Sequence, residues 1–138
     1  MVFSLQIVTE TGVNLFSKTE GMKEADFASV GLLQALYISG IDNNIKTELL
    51  TTKNSIIMYK DIDISDMKII LILYKNTSIP TTSNILHTYK NLINVIQNFI
   101  LMFVGYKHLA QAIAKNQFDI LKKYFKVKNQ ISLFYILY

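Results

Sequence analysis

Asp61, Asp63 and Asp66, in the stretch KDIDISDMK, form the one carboxylate cluster of the chain. Carboxylates this close together raise the possibility of calcium binding, but a calcium loop of the helix-loop-helix kind needs more oxygen ligands, a central glycine and a terminal glutamate. All three are missing, and the cluster reads as a solvated turn between two strands. His87 and His108 each stand alone on a predicted helical segment, with no cysteine or second histidine close by, which suits surface or capping positions better than metal ligation or general-base work. The chain has no cysteine, so it offers no thiolate nucleophile, no disulfide framework and no sulfur-ligated metal, a composition that suits a reducing, intracellular compartment. Neither a nucleophile elbow nor a phosphate-binding glycine loop occurs. The residues therefore point away from an enzyme: no catalytic, cofactor-binding or metal-binding set is expected.

The charge pattern narrows the partners. The net charge is +4 and all 14 basic residues are lysine. Without a guanidinium fork the chain lacks the usual bidentate reader of phosphate and guanine, and its lysines are scattered, so nucleic acid is not expected. The most basic region is the C-terminal helix, with Lys115, Lys122, Lys123 and Lys126 followed by Lys128. It reads as a solvated face or as a peripheral contact with anionic membrane, where each lysine adds about 1 kcal/mol near the surface.

With 138 residues, 51% of them hydrophobic, the chain fits a single domain with a substantial core. Its amino terminus, MVFSLQIVTE, has no basic start, long apolar stretch or small-residue cleavage site, so no signal peptide is expected. The most apolar stretch, LINVIQNFILMFVG at 92–105, falls short of the roughly 20 apolar residues of a membrane span. Asn94, Gln97 and Asn98 interrupt it, and those amides are expected on the wetter side of a helix.

Period-two alternation of Phe3, Leu5 and Ile7 with Ser4 and Gln6 predicts a strand over 2–9, a turn at Glu10 to Gly12, and a returning strand over 13–17. The stretch DFASVGLLQALYISG predicts a helix with Asp26 as N-cap and Gly40 as its stop. Its large apolar side chains span an arc of about 240°, and a strip of Ala28, Gly31 and Ala35 fills the rest. A helix apolar all round is normally buried all round. One reading is a short helix deep in its own core; in a domain of this size the pattern points rather to a partner, with Phe27, Val30, Leu33, Leu36 and Tyr37 as the candidate interface. One arrangement lays the small strip on the sheet and leaves Leu33, Leu36 and Tyr37 for the partner. Strands follow over 45–51, 55–60 and 67–74; the last, MKIILILY, is apolar on both faces and belongs inside the sheet beside the first strand. Pro80 closes the strand region, Thr81 to Ser83 supply N-caps for a long helix to Gly105, and a final helix covers 108–126, with Ala110, Ile113, Gln117, Leu121 and Tyr124 on its inner side. The fold expected is α/β in the α+β sense: a five-stranded, mainly antiparallel sheet, order ββαβββαα, with one helix on one face and two on the other.

That order is the longin topology. The stretches GVNLFSK (12–18), FASVGLLQALYISG (27–40), IIMYKDI (56–62), KIILILY (68–74), FILMFVGYKHL (99–109) and DILKKYF (119–125) together resemble the first longin domain of the Fuzzy family of planar cell polarity effectors. The resemblance covers nearly residues 3–126. It implies a cytoplasmic protein-interaction domain, at the ciliary base or cytoskeleton, that pairs with an Inturned-like longin protein in an assembly with a Fritz-like scaffold. That assembly would act on a Rab-type GTPase in vesicle traffic and ciliogenesis. Two departures stand out. Tyr59 precedes Lys60 where family members commonly place a tryptophan, and the apolar tail VKNQISLFYILY at 127–138 leaves the family pattern, as a truncated isoform or a gene model read into non-coding sequence would. The same fold also serves free-standing longin subunits of coat or tethering complexes. A small-ligand sensor of the PAS or GAF kind has a similar order of elements but needs a pocket with convergent polar groups, which the sequence does not reveal.

Overall fold

Strand β1 (Phe3–Thr9) carries the alternation that defines it, yet all seven of its residues are buried, the polar ones included. Covered on both faces, it satisfies its polar side chains laterally. Gln6 Nε2 donates to Ser4 Oγ at 3.2 Å, Ser4 Oγ pairs with Thr19 Oγ1 at 3.2 Å, and Ser17 Oγ donates to Gln6 Oε1. Thr19 and Ser17 lie on β2 (Asn14–Glu20), which returns antiparallel to β1 after a turn through Gly12, whose φ of 94° suits glycine. The computed structural model describes residues 3–20, 27–52, 55–64, 67–76, 83–115, 119 and 122–123.

Helix α1 (Phe27–Asp42) leads into β3 (Leu49–Thr51), β4 (Ser55–Ile64) and β5 (Met67–Asn76). The sheet order is β2-β1-β5-β4-β3, every neighbouring pair antiparallel. The doubly apolar strand β5 lies in the centre, bonded to β1 on one side and β4 on the other, as its composition requires. Helix α2 (Ser83–Phe99) is followed by a π-helical turn (Ile100–Gly105) and α3 (Tyr106–Ala114). The fold is thus α+β with element order ββαβββαα, α1 on one face of the sheet and α2 and α3 on the other.

The face under α2 and α3 holds the larger core. Phe3, Leu5 and Ile7 of β1, Met58 and Ile62 of β4, and Ile69, Leu71 and Leu73 of β5 meet Leu92, Ile93, Ile96 and Ile100, with Leu109 and Ala112 of α3. The opposite face is smaller: Val8, Ile57, Tyr59, Ile70 and Ile72 meet Val30 and Tyr37 of α1.

Several element ends differ from the sequence reading. Helix α1 continues two residues past Gly40; the left-handed residue is Asn44, with φ of 61°. Gly40 serves close approach instead. Ile45 N donates to Gly40 O at 2.7 Å as the chain doubles back, and a Cβ at position 40 would stand 2.9 Å from Ile45 O. That return uses up residues 45–48, so β3 has three residues rather than seven. Strand β4 runs four residues further than expected. Asp61 and Asp63 pair with Ile70 and Lys68 in the ladder and are strand residues, not a turn. The helix to Gly105 opens into a π turn after Phe99, burying Ile100 and exposing Met102, and ends at Gly105 with φ of 87°. On its wet side stand Asn91, Val95 and Asn98, whereas Asn94 and Gln97 are only half exposed. Helix α3 starts at Tyr106; Leu109 and Ala112 are buried and Ala110 half buried, while the side chain of Ile113, expected on the inner side, lies outside the described residues. The expected caps at Asp26 and Thr81, the residues Asp66 and Pro80, the inner positions Gln117, Leu121 and Tyr124, and the 127–138 tail lie outside the described residues.

Candidate docking helix and its polar anchors

Helix α1 has neither an acidic first turn nor a basic last turn, so its rotation about its own axis is set by what it meets on the sheet. Val30 and Tyr37 are buried and Leu33, Gln34, Ile38 and Ile41 half buried, which marks one face toward β1, β5 and β4. Gly31, Leu32, Ala35, Leu36 and Ser39 are exposed on the opposite face, which ends at exposed Asp42.

Three polar contacts lock that orientation. Gln34 Nε2 donates to Glu10 O at 2.7 Å, tying the middle of α1 to the β1–β2 turn. Tyr59 OH donates to Leu33 O at 2.8 Å. Tyr37 OH donates to Asp61 Oδ2, and the Tyr37 ring stacks on Tyr59 with centroids 5.0 Å apart. Rolling the helix to put Ala28, Gly31 and Ala35 on the sheet would break all three.

Asp61 is the unusual member. It is buried in mid-strand, its side chain 5% exposed, and a buried carboxylate is tolerable only with compensating partners. Beyond Tyr37 it has Lys46 Nζ at 3.6 Å and Lys68 Nζ at 4.0 Å. Lys68 is shared with exposed Asp63, directly across the β4–β5 ladder, and the hydrogen bond to Asp63 holds its ammonium charged above the usual lysine range. Burial, then the hydrogen bond and charge of Asp61, with Asp63 and Glu48 adding, keep the Tyr37 hydroxyl protonated well above the usual phenol range. Burial alone pushes Tyr59 up to about 12. The cluster is a structural clamp: the carboxylate accepts, the lysines neutralise it, and no nucleophile faces it among the described residues. Asp61 also serves the other side of the sheet through its main chain. β3 stops short of this point, so the Asp61 carbonyl lies on an open edge, and Gln97 Nε2 of α2 donates to it at 2.8 Å.

These contacts correct the sequence reading in three places. Tyr37 and Val30, expected at a partner interface, are core residues, with Tyr37 only 1% exposed. The small strip, which one of the arrangements open to the sequence laid against the sheet, faces outward at Gly31 and Ala35, because the helix needs its large side chains to reach a sheet already carrying Ile57, Tyr59, Ile70 and Ile72. Asp61, expected in a solvated turn, is buried. Of the candidate interface, Leu36 is exposed (48%) and Leu33 half buried, and the side chain of Phe27 lies outside the described residues. Leu32, which the sequence reading left out of the interface, is the most exposed large residue of the helix among the described residues, at 62%. The signal that could have found it was Gln34: a lone amide on an apolar helix anchors inward, which places positions 32 and 36 outward.

Elsewhere, His87 and His108 are exposed, His87 Nε2 lying 3.2 Å from Asn91 Nδ2. Lys115, Lys122 and Lys123 are exposed, while Lys126 lies outside the described residues. Among the described residues no three of His, Cys, Asp or Glu converge to hold a metal ion, and no helix is long and apolar enough to cross a membrane. On the face opposite α1, a groove of about 440 Å³ opens between α2 and the β3–β4 edge. The chain matches no known protein family's sequence profile and no curated protein.

Proposed function

We propose that the chain is a protein-interaction domain that docks through the outer face of α1. The observation that carries this reading is an exposed helix face that stays free of charge until its last residue, Asp42: Leu32 and Leu36 stand out one turn apart, with Gly31, Ala35 and Ser39 around them. A solvated helix face normally carries charged side chains. Here the small residues leave a shallow bed between two leucines, into which a partner's side chains can pack closely. Burying each leucine contributes about 1.5–3 kcal/mol before association costs.

The partner proposed is a second longin-type domain, Inturned-like, within an assembly that includes a Fritz-like scaffold and acts on a Rab-type GTPase in vesicle traffic and ciliogenesis. The resemblance of the sequence to the Fuzzy family supports that identity, and the longin order of elements agrees with it. In this reading the domain contributes binding rather than catalysis.

The test is a paired substitution, Leu32→Lys with Leu36→Lys, assayed by co-purification with the Inturned-like longin domain. Both residues are exposed, so folding should be unaffected to within about 0.5 kcal/mol, and capture should be lost. Retained capture by the folded double variant would remove α1 as the docking surface.

A further inference from the structure

The groove on the α2 face holds a lysine where a core residue belongs. Along β4 the side chains facing α2 are Ile56, Met58, Lys60, Ile62 and Ile64; the four apolar ones are buried, and Lys60 is paired across the ladder with fully buried Leu71. Lys60 itself is half exposed and lines the groove. A second lysine, Lys90 of α2, lines it too. Neither has an ion-pair or hydrogen-bond partner among the described residues. The floor between them is apolar, built by Leu49, Met58, Leu86 and Ile93.

Among the described residues Glu48 is the one acidic residue along the groove, and it does not neutralise the lysines. Its carbonyl accepts from Tyr59 N at 3.0 Å, opposite a residue that packs on the α1 face, and its charge acts on Tyr37 on that same face. Ser83, the first residue of α2, borders the groove, and the first turn of α2 contains no acidic residue. The amide end of the helix dipole therefore adds to the positive potential of the two lysines.

We propose that this groove binds a small amphipathic anion, an oxyanion head held by Lys60 and Lys90 with an apolar body on Leu49, Met58, Leu86 and Ile93. Its volume falls within the roughly 300–1,000 Å³ of small-molecule sites. A lysine kept in a buried row costs core packing, and an oxyanion ligand supplies a partner that neither lysine finds among the described residues. The site is on the sheet face opposite α1, so it goes beyond partner docking and stands independently of it.

The experiment titrates the full chain with decanoate below its micelle-forming concentration, followed by calorimetry and by chemical shifts of the groove residues. Decanol and decyltrimethylammonium serve as head-group controls. Decanoate should bind saturably, with shifts at Leu49, Leu86 and Ile93, and more tightly than either control. Lys60→Gln and Lys90→Gln should each weaken decanoate roughly tenfold and leave decanol unchanged, the loss of one charge-assisted contact. Lys90 is exposed, so its variant reports even if Lys60→Gln folds poorly. Equal binding of the three amphiphiles, unchanged decanoate affinity in Lys90→Gln, or binding of a short acidic peptide without any of decanoate would each overturn the proposal. The Leu32→Lys, Leu36→Lys variant should bind decanoate as the parent does, which separates this site from α1.

Discussion

Replacing Tyr37 by phenylalanine removes one oxygen from beneath α1 and leaves the apolar part of the contact in place. The ring keeps its stack on Tyr59 at 5.0 Å between centroids, so no cavity term enters. What is lost is a hydrogen bond to a buried carboxylate, Asp61. Bonds to charged groups contribute about 1.5–3 kcal/mol, against about 0.5–1.5 for neutral pairs. Lys46 and Lys68 remain within 4.0 Å of Asp61 and soften the loss, so the expected cost is about 2 kcal/mol. With a urea dependence of about 2 kcal/mol per molar, within the range for domains of this size, the unfolding midpoint should fall by about 1 M. A double-mutant cycle with Asp61→Asn gives the sharper measure, because the two residues act as one unit and their coupling should exceed about 1 kcal/mol. A midpoint shift equivalent to less than about 0.5 kcal/mol, or strict additivity in the cycle, would refute the view that this pair clamps α1 to the sheet.

Two further outcomes follow from the same geometry. Stability should decline on the alkaline side: Tyr59 titrates near 12 in the folded state and Tyr37 higher still, both above the free phenol. The folded state therefore holds protons that the unfolded state gives up above about pH 10, and the slope should approach about 2.7 kcal/mol per pH unit for two such groups; chemical denaturation between pH 9 and 12 (roughly that span) checks it, and a flat profile would contradict the burial of both hydroxyls. Gly40→Ala should destabilise by about 1–3 kcal/mol even though it sits in a helix, because the added Cβ meets the main-chain oxygen of Ile45 at 2.9 Å; thermal melting that shows the gain normally expected of alanine in a helix would show that the chain after α1 yields readily.

How much was legible beforehand follows from the range over which each signal acts. Alternation in β1, the doubly apolar β5 and the turn at Gly12 are local patterns, and each element fell where its own pattern placed it. Gly40 misled because a helix-ending glycine and a close-approach glycine look alike in sequence; only the path of Ile45 tells them apart. Asp61 misled for a similar reason. Three aspartates in six residues resemble a loop until Tyr37 and Lys46, distant in sequence, and Lys68 from the neighbouring strand arrive to compensate the carboxylate.

The sequence by itself determined the element order, the central place of β5 and the uncharged run of α1 up to Asp42, since these depend on composition and short-range period alone. The direction in which α1 faces was a tertiary decision. A helix apolar all round has no preferred side of its own, and the choice fell to Gln34, Tyr37 and the Leu33 carbonyl, whose polar partners lie on the sheet and would be left unsatisfied in any other rotation. The same holds for the groove. Lys60 breaks a period-two apolar row in plain view, but that the break opens beside Lys90 and an apolar floor is decided only by how α2 crosses the short edge left by β3.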